Sequence, residues 1–246
     1  ENVRLSVEFG NPELTDTDDQ DFEEEADVIT NMDGKAVQLA IELLAHGYAK
    51  RHVSGNFNFK VTGAKINVSD DRVLSATCQL TFTVPPEACN TSGAMFGGNV
   101  PCITDIITTC LLIAADIKSK GEWVYSTTMA LNSEFVRPSR ADEEVIMQTG
   151  IEKYGKMMIF TYADYFLKDE DDKPNPLTGL YDCNLGKLLY RTRHQKYVTK
   201  LRLRREMIPT NRARAIWDEL LVMLGKSKGL PVEAKNDNST MLRSKL

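Results

Sequence analysis

The chain has 246 residues, 42% hydrophobic and 26% charged, enough apolar material for one large domain or two small ones. Thirty basic against 35 acidic side chains leave a net charge of −5, which argues against a protein that binds nucleic acid by charge alone. No apolar run approaches the roughly 18 residues of a membrane span, and five cysteines without a CxxC pair or a zinc spacing predict reduced thiols and an intracellular compartment.

From Glu13 to Asp27 the chain carries nine acidic residues and no basic one, a composition too self-repelling for a core segment. It reads as an exposed acidic arm. From Asp33, read as an N-cap, the apolar residues Val37, Ala40, Ile41, Leu44 and Tyr48 recur at helical intervals and predict an amphipathic helix. Between Ser75 and Val84 the period changes to two, with Ala76, Cys78, Leu80, Phe82 and Val84 alternating against polar residues, the pattern of a half-buried strand. Pro85 and Pro86 end it. A small-residue turn through Gly93, Gly97 and Gly98 then leads into an apolar stretch, Val100 to Ile117, that is hydrophobic nearly all round and predicts a buried helix.

Strand-like segments follow at Tyr125–Phe135, Glu144–Ile151, Met157–Phe166 and Lys187–Val198, divided by turn signals and by a long polar loop, Lys168–Gly186. One or two strands, a long buried helix and several more strands predict an α+β layer in which a curved antiparallel sheet wraps a central helix. Thr210 is placed to cap a final helix whose stripe is Ala213, Ile216, Trp217, Leu220 and Leu224, ending at Gly225 before a tail.

Asp105 is the only charged residue between Ala88 and Ala115. A carboxylate on an apolar helix is costly to desolvate unless it is paired, hydrogen-bonded or reached by water and substrate. Gly97 and Gly98 at the start of the same helix expose backbone N–H groups able to bind an anion or polarise a carbonyl. A structural Asp held by nearby Thr104, Thr108 or Thr109 fits the spacing equally well. Eight basic residues and no acidic one lie between Gly186 and Arg205, suiting phosphates, an acidic partner or the acidic arm itself. His194 reads as a structural sheet residue, and no metal-ligand constellation is present.

The segment Asn90-Thr-Ser-Gly93-Ala-Met-Phe96-Gly97-Gly98, followed by Asp105, resembles the Asn-x-x-Gly-x-x-His-Gly-Gly-x(6)-Asp signature of the hotdog-fold acyl-CoA thioesterases, in their four-hydroxybenzoyl-CoA/phenylacetyl-CoA thioesterase-like branch. Asn132-Ser-Glu-Phe135-Val-Arg137-Pro138, Tyr154-Gly155-Lys156 and Arg193-His194-Gln-Lys196-Tyr-Val198 extend the resemblance over roughly residues 60 to 198. It implies a hotdog domain over residues 56–199, between an acidic arm with an amphipathic helix (1–55) and a C-terminal helix with a tail (200–246). It also implies that Asp105 is the base or nucleophile toward a thioester, that Thr128 helps to hold the attacking water, that Gly97 N–H polarises the carbonyl, and that Asn90 helps to place the carboxylate or the carbonyl, often from the opposite subunit. Gly98, Arg137, Lys156, Arg193 and Lys196 are the expected contacts to coenzyme A, which enters as part of the substrate with no separate cofactor or metal. One departure stands out: Phe96 occupies the place of the family's usual His.

Two functions follow as expectations. The first is an acyl-CoA thioester hydrolase acting as a homodimer or higher hotdog oligomer. The alternative is a catalytically weakened hotdog domain serving as a subunit of a larger assembly through the acidic arm and C-terminal helix. The compartment expected is the mitochondrion, with the cytoplasm as the alternative, and neither nucleic acid nor a membrane span is expected.

Overall fold

In the computed structural model the chain is described over residues 31–47 and 57–226. The acidic arm, Tyr48, His52 and the tail after Lys226 lie outside the described residues. Helix α1 (Met32–Gly47) is followed by strands β1 (Lys60–Ser69) and β2 (Arg72–Thr83) and by helix α2 (Asn99–Lys120). Then come β3 (Trp123–Phe135), β4 (Glu144–Tyr154), β5 (Met158–Leu167), β6 (Leu188–Leu203) and α3 (Asn211–Met223).

The six strands form one sheet in the order β1-β2-β4-β5-β6-β3, with every neighbouring pair antiparallel. Helix α2 packs against one face and touches all six strands, while α1 and α3 cover its other side. Most of its side chains are enclosed in this way, with the half-exposed Asp105 among the exceptions. That explains the unbroken apolar character of Ile103, Ile107, Leu111, Leu112 and Ile113, all buried, each contributing roughly 1.5–3 kcal/mol on leaving water. By length and composition α2 could cross a membrane, but here it is the core helix of the sheet. Gly98 is its N-cap, and Gly121, at φ 72°, ends it in the left-handed region. This is the α+β arrangement expected of a hotdog domain, with helical extensions at both ends.

Strand β1 has no counterpart in the periodicity reading. Gly63 and a register shift near Val61 interrupt its alternation, and Asp70 and Asp71, both at positive φ, close the β1–β2 hairpin in place of the usual Asn-Gly. Gly63 is required by close packing: a Cβ there would lie 2.3 Å from the Thr178 carbonyl oxygen. From Cys78 to Phe82 strand β2 is buried on both faces rather than half-buried. Gln79 and Thr81 on its outer face are covered, and the loop after β5 lies over Gln79. The Gln79 carboxamide accepts from Tyr181 N–H at 2.5 Å and donates to the Tyr181 carbonyl at 3.1 Å. Ile146, Phe166 and Leu188 form a second small apolar cluster there, with Tyr181 and Cys183 packed on it.

At α1 the cap differs from expectation. The Asn31 side chain accepts from Gly34 N–H at 2.7 Å, whereas Asp33 is inside the helix, accepting from Ile66 N–H at 2.8 Å and pairing with Lys118 at 2.6 Å. Thr210 caps α3 through Ala213 N–H at 3.1 Å, and the stripe Ala213, Ile216, Trp217 and Leu220 is buried beside α1.

Candidate active site

The turn ahead of α2 is built by its own polar groups. Asn90 Oδ1 accepts from Ser92 N–H at 2.9 Å and Ala94 N–H at 3.2 Å, while Gly93, at φ 72°, donates its N–H to the Asn90 carbonyl. Phe96 N–H bonds to the Ala88 carbonyl at 2.8 Å, and the Asn99 carboxamide bonds to that same carbonyl at 3.0 Å. Among the described residues no hydrogen bond uses the Gly97 N–H. It stands at the positive end of the α2 dipole, the arrangement a developing oxyanion requires. Two aromatic rings flank it: a Cβ on Gly97 would lie 3.3 Å from Phe135 Cε1, and one on Gly98 would lie 2.6 Å from Phe96 Cε1. Phe96 is 60% and Phe135 56% exposed.

Asp105 lies two turns into α2 and meets the two strands at the end of the sheet. On β3, Thr128 Oγ1 donates to Asp105 Oδ1 at 3.1 Å. On β6, Lys196 Nζ donates to the same oxygen at 2.7 Å, and His194 Nε2 stands 3.6 Å from it. Thr128 and Lys196 are register partners, and a shift between Thr128 and Ala130 marks a bulge beside the site. Below them Thr108 Oγ1 is 2.9 Å from His194 Nδ1.

The charges follow from burial. The Lys196 and His194 side chains are 3% and 0% exposed, the Asp105 side chain 46%. Burial raises the Asp105 carboxyl, but the charge and hydrogen bond of Lys196, with His194 and Thr128, outweigh it and hold the group below the ordinary carboxylate value. Burial, reinforced by the Lys196 charge and opposed by Asp105, lowers His194 to about 4, so its imidazole is neutral at pH 7. Burial also pulls Lys196 below the lysine range against the attraction of Asp105. At neutral pH the site is therefore a carboxylate–ammonium pair beside a neutral imidazole. All three contacts converge on Oδ1, and Oδ2 has no protein partner among the described residues.

Residues 92–173 match the family model of the thioesterase superfamily. Over that stretch the chain is similar to the thioesterase superfamily. The matched stretch is a third of the chain, carries Gly97, Asp105 and Thr128, and stops before β6. No curated protein sequence matches the chain. Among solved structures, zebra fish thioesterase superfamily member 2 is similar at 16% identity over 66% of this chain and 94% of its own, with a TM-score of 0.44. The Escherichia coli PaaI protein of the phenylacetic acid degradation operon is similar at 13% over 67% and 96%, with 0.43. A hypothetical thioesterase from Streptococcus pneumoniae, crystallised with coenzyme A, is similar at 13% over 55% and 85%, with 0.39.

Within the hotdog domain Asp105 and Thr128 come together, and Gly97 opens the helix that carries Asp105. Within one chain Asn90 shares no hydrogen bond with them, its side-chain oxygen being held by its own turn; the role expected of it is toward the opposite subunit. Nor do the expected contacts to coenzyme A converge within one chain. Arg137 bonds to the carbonyls of Gly186 at 2.6 Å and Leu188 at 3.3 Å, whereas Lys156 sits in the β4–β5 turn, whose Met157 carbonyl accepts from Val198 N–H. Leu188 and Val198 are ten residues apart on β6, roughly 30 Å of strand. Arg193 belongs to the outer face, with Asp164 at 3.2 Å and Glu152 at 3.4 Å. Gly98 has the Phe96 ring above it.

Lys196 is the clear correction. Residues 192, 194 and 196 alternate inward while 191 and 193 point outward, so the basic run is split between two faces. Most of its members find partners within the chain: Lys187 with Asp169 and Asp172, Arg191 with Asp164, Arg202 with Glu122, Arg205 with Asp218. Sequence reading missed Lys196 and His194 as neighbours of Asp105. The period-two spacing of Thr192, His194 and Lys196 was the available signal.

Proposed function

We propose that the hotdog domain hydrolyses an acyl-CoA thioester to the free acid and coenzyme A. The observation that carries this reading is the asymmetry of Asp105: one oxygen is anchored by Lys196 and Thr128, and the other is open on a half-exposed side chain. A water bonded to Oδ2 gives up a proton to it while the water oxygen attacks the thioester carbonyl carbon. The carbonyl oxygen takes up negative charge facing the Gly97 N–H and the N-terminus of α2. The C–S bond then breaks, the electron pair leaves on sulfur, and the proton held by Asp105 passes to the thiolate or to solvent. The superfamily match supports this chemistry, which needs an activated water, a polarised carbonyl and little else.

Thiol release from short, long and aryl acyl-CoAs, corrected for the five protein cysteines, tests it. Asp105→Asn is expected to lower turnover by about 10²–10⁴, the range for loss of a general base. Equal rates would remove Asp105 from the reaction.

A second reading is favoured by Phe96. An exposed aromatic ring replaces the His of the resembled signature, and Phe135 and Val136 beside the turn are exposed as well. β3 is also an edge strand, with unpaired backbone groups open to another strand. These features suit a domain held by a second copy of itself or by other subunits. Native mass measurement after gentle purification separates the cases: a species larger than a homo-oligomer supports the assembly, and a homo-oligomer unaffected by deletion of the arm and C-terminal helix counts against it.

A further inference from the structure

The polar groups around Asp105 form a connected chain whose hydrogens can be assigned from donor count. Thr108 Oγ1 is 2.9 Å from His194 Nδ1, His194 Nε2 is 3.0 Å from Thr128 Oγ1, and Thr128 Oγ1 is 3.1 Å from Asp105 Oδ1. Each hydroxyl has one hydrogen and the neutral imidazole has one, so three hydrogens serve three links and must all run the same way.

Running toward Asp105, Thr108 donates to Nδ1, Nε2–H donates to Thr128, and Thr128 donates to the carboxylate. Running away, Thr128 spends its hydrogen on Nε2, its oxygen faces Oδ1 at 3.1 Å with no proton between them, and Thr108 turns to the Thr104 carbonyl at 2.8 Å. The number of hydrogen bonds is the same, but only the first arrangement ends on an anion, where a hydrogen bond is about twice as strong and each link polarises the next. Lys196 supplies the remaining donor to Oδ1 from a side chain that solvent hardly reaches. The buried thiol of Cys110, raised beyond the thiol range by burial, is the other titratable group near the pair and stays neutral.

We propose that His194 and Lys196 are positioning residues of this site: His194, with its hydrogen on Nε2, turns the Thr128 hydroxyl onto Asp105 Oδ1, Lys196 locks the same oxygen, and Oδ2 alone is presented to the reacting water. The last clause rests on the hydrolase reading; the proton arrangement does not. In this arrangement Thr128 is a fixed donor and not a nucleophile, because its hydrogen is committed to the carboxylate and its oxygen already accepts from His194. No proton changes owner along the chain during a turnover.

Ring ¹⁵N spectra of the full chain carrying labelled histidine test the arrangement directly, with the His194 signals assigned by their loss in His194→Gln. Nε2 protonated and Nδ1 bare at pH 7 is the expected result. The opposite tautomer, or an imidazolium, overturns the proposal. The second measurement follows the ¹³C-labelled Asp105 carboxyl through a pH titration, assigned against Asp105→Asn. Lys196→Met is expected to move its midpoint upward by about one pH unit or more, the effect of removing an adjacent opposite charge, and Thr128→Val upward by less. An unmoved midpoint in folded Lys196→Met overturns the role of Lys196. In the thiol-release assay the acid limb of kcat/KM is expected to move with the carboxyl. Absence of turnover on every acyl-CoA, with the tautomer and midpoint as expected, overturns the hydrolase reading and leaves the positioning of Asp105 standing.

Discussion

Asp105 and Asp116 are eleven residues apart on α2, within about 20° of the same helix face at 3.6 residues per turn, and each is paired with a lysine and a hydroxyl. Asp116 Oδ1 accepts from Tyr154 Oη at 2.6 Å and Lys120 Nζ at 3.2 Å, and its Oδ2 accepts from Val124 N–H at 3.1 Å. Both oxygens are used and the side chain is 1% exposed. Asp105 gathers its partners on one oxygen and keeps the other open. The same ingredients therefore make a structural fastening at one end of the helix and a candidate reactive carboxylate at the other. The difference lies in how many carboxylate oxygens the fold consumes, and in whether the lysine or the carboxylate is the more deeply buried member of the pair. At Asp105 the lysine is buried; at Asp116 the carboxylate is.

Removing the two side chains should separate these roles most strongly. Asp116→Ala leaves the Tyr154 hydroxyl and the Val124 N–H without their acceptor and Lys120 with the Tyr154 oxygen alone, and a loss of about 3–5 kcal/mol is expected, as for other broken buried pairs. Asp105→Ala exposes Lys196 to entering water, and a smaller loss is expected. Urea unfolding of both variants measures the contrast. Equal losses would mean that Asp105 is as structural as Asp116.

A finer cut leaves the carboxylates in place and removes one hydroxyl from each. Tyr154→Phe keeps the ring beneath Lys120, 4.7 Å from its ammonium, but deletes the 2.6 Å hydrogen bond to a buried carboxylate. About 1.5–3 kcal/mol of stability should be lost, the range for hydrogen bonds to charged groups. Thr128→Val removes a hydroxyl at an exposed position, so its effect on stability should be the smaller of the two. The order of the two unfolding midpoints checks this, and a reversed order would break the comparison.

The two carboxylates were not equally legible in the sequence. Asp105 stands alone in an uncharged stretch and is preceded by two glycines, so its oddity was visible. Asp116 is followed at once by Lys118 and Lys120 and looks like the solvated end of a helix, although the fold buries it between α2 and β4. The helices and most strands were legible because their periods are strong. β1 was not, because a glycine under a loop carbonyl and a register shift break its alternation. Within the site, Asp105 and Thr128 were reached through the resembled signature, whereas Lys196 and His194 lie on β6, beyond the stretch that matches the superfamily. A basic residue within a basic run gives no sign of facing inward until the strand's parity is fixed, and a one-residue change of parity would have placed Arg193 there instead.

The smallest expected effect has the clearest sign. Burial raises the Asp116 carboxyl above its ordinary value of 3.8, against the opposing pull of Lys120, Tyr154 and the Val124 N–H, whereas Asp105 lies below 3.8 in spite of its burial. A carboxyl with a raised folded value binds its proton in the folded chain first, so wild type gains stability relative to Asp116→Asn as pH falls from that raised value toward 3.8. A carboxyl with a depressed folded value contributes stability that is fully present above the unfolded value and is lost as pH falls below 3.8 through the folded one. The gap between wild type and Asp116→Asn should widen on acidification, and the gap to Asp105→Asn should narrow, in two pH windows that meet near 3.8. Unfolding free energies of the three proteins at stepped pH measure both slopes. Slopes of the same sign would mean that Asp105 is held by burial, as Asp116 is, and that Lys196 does not govern it.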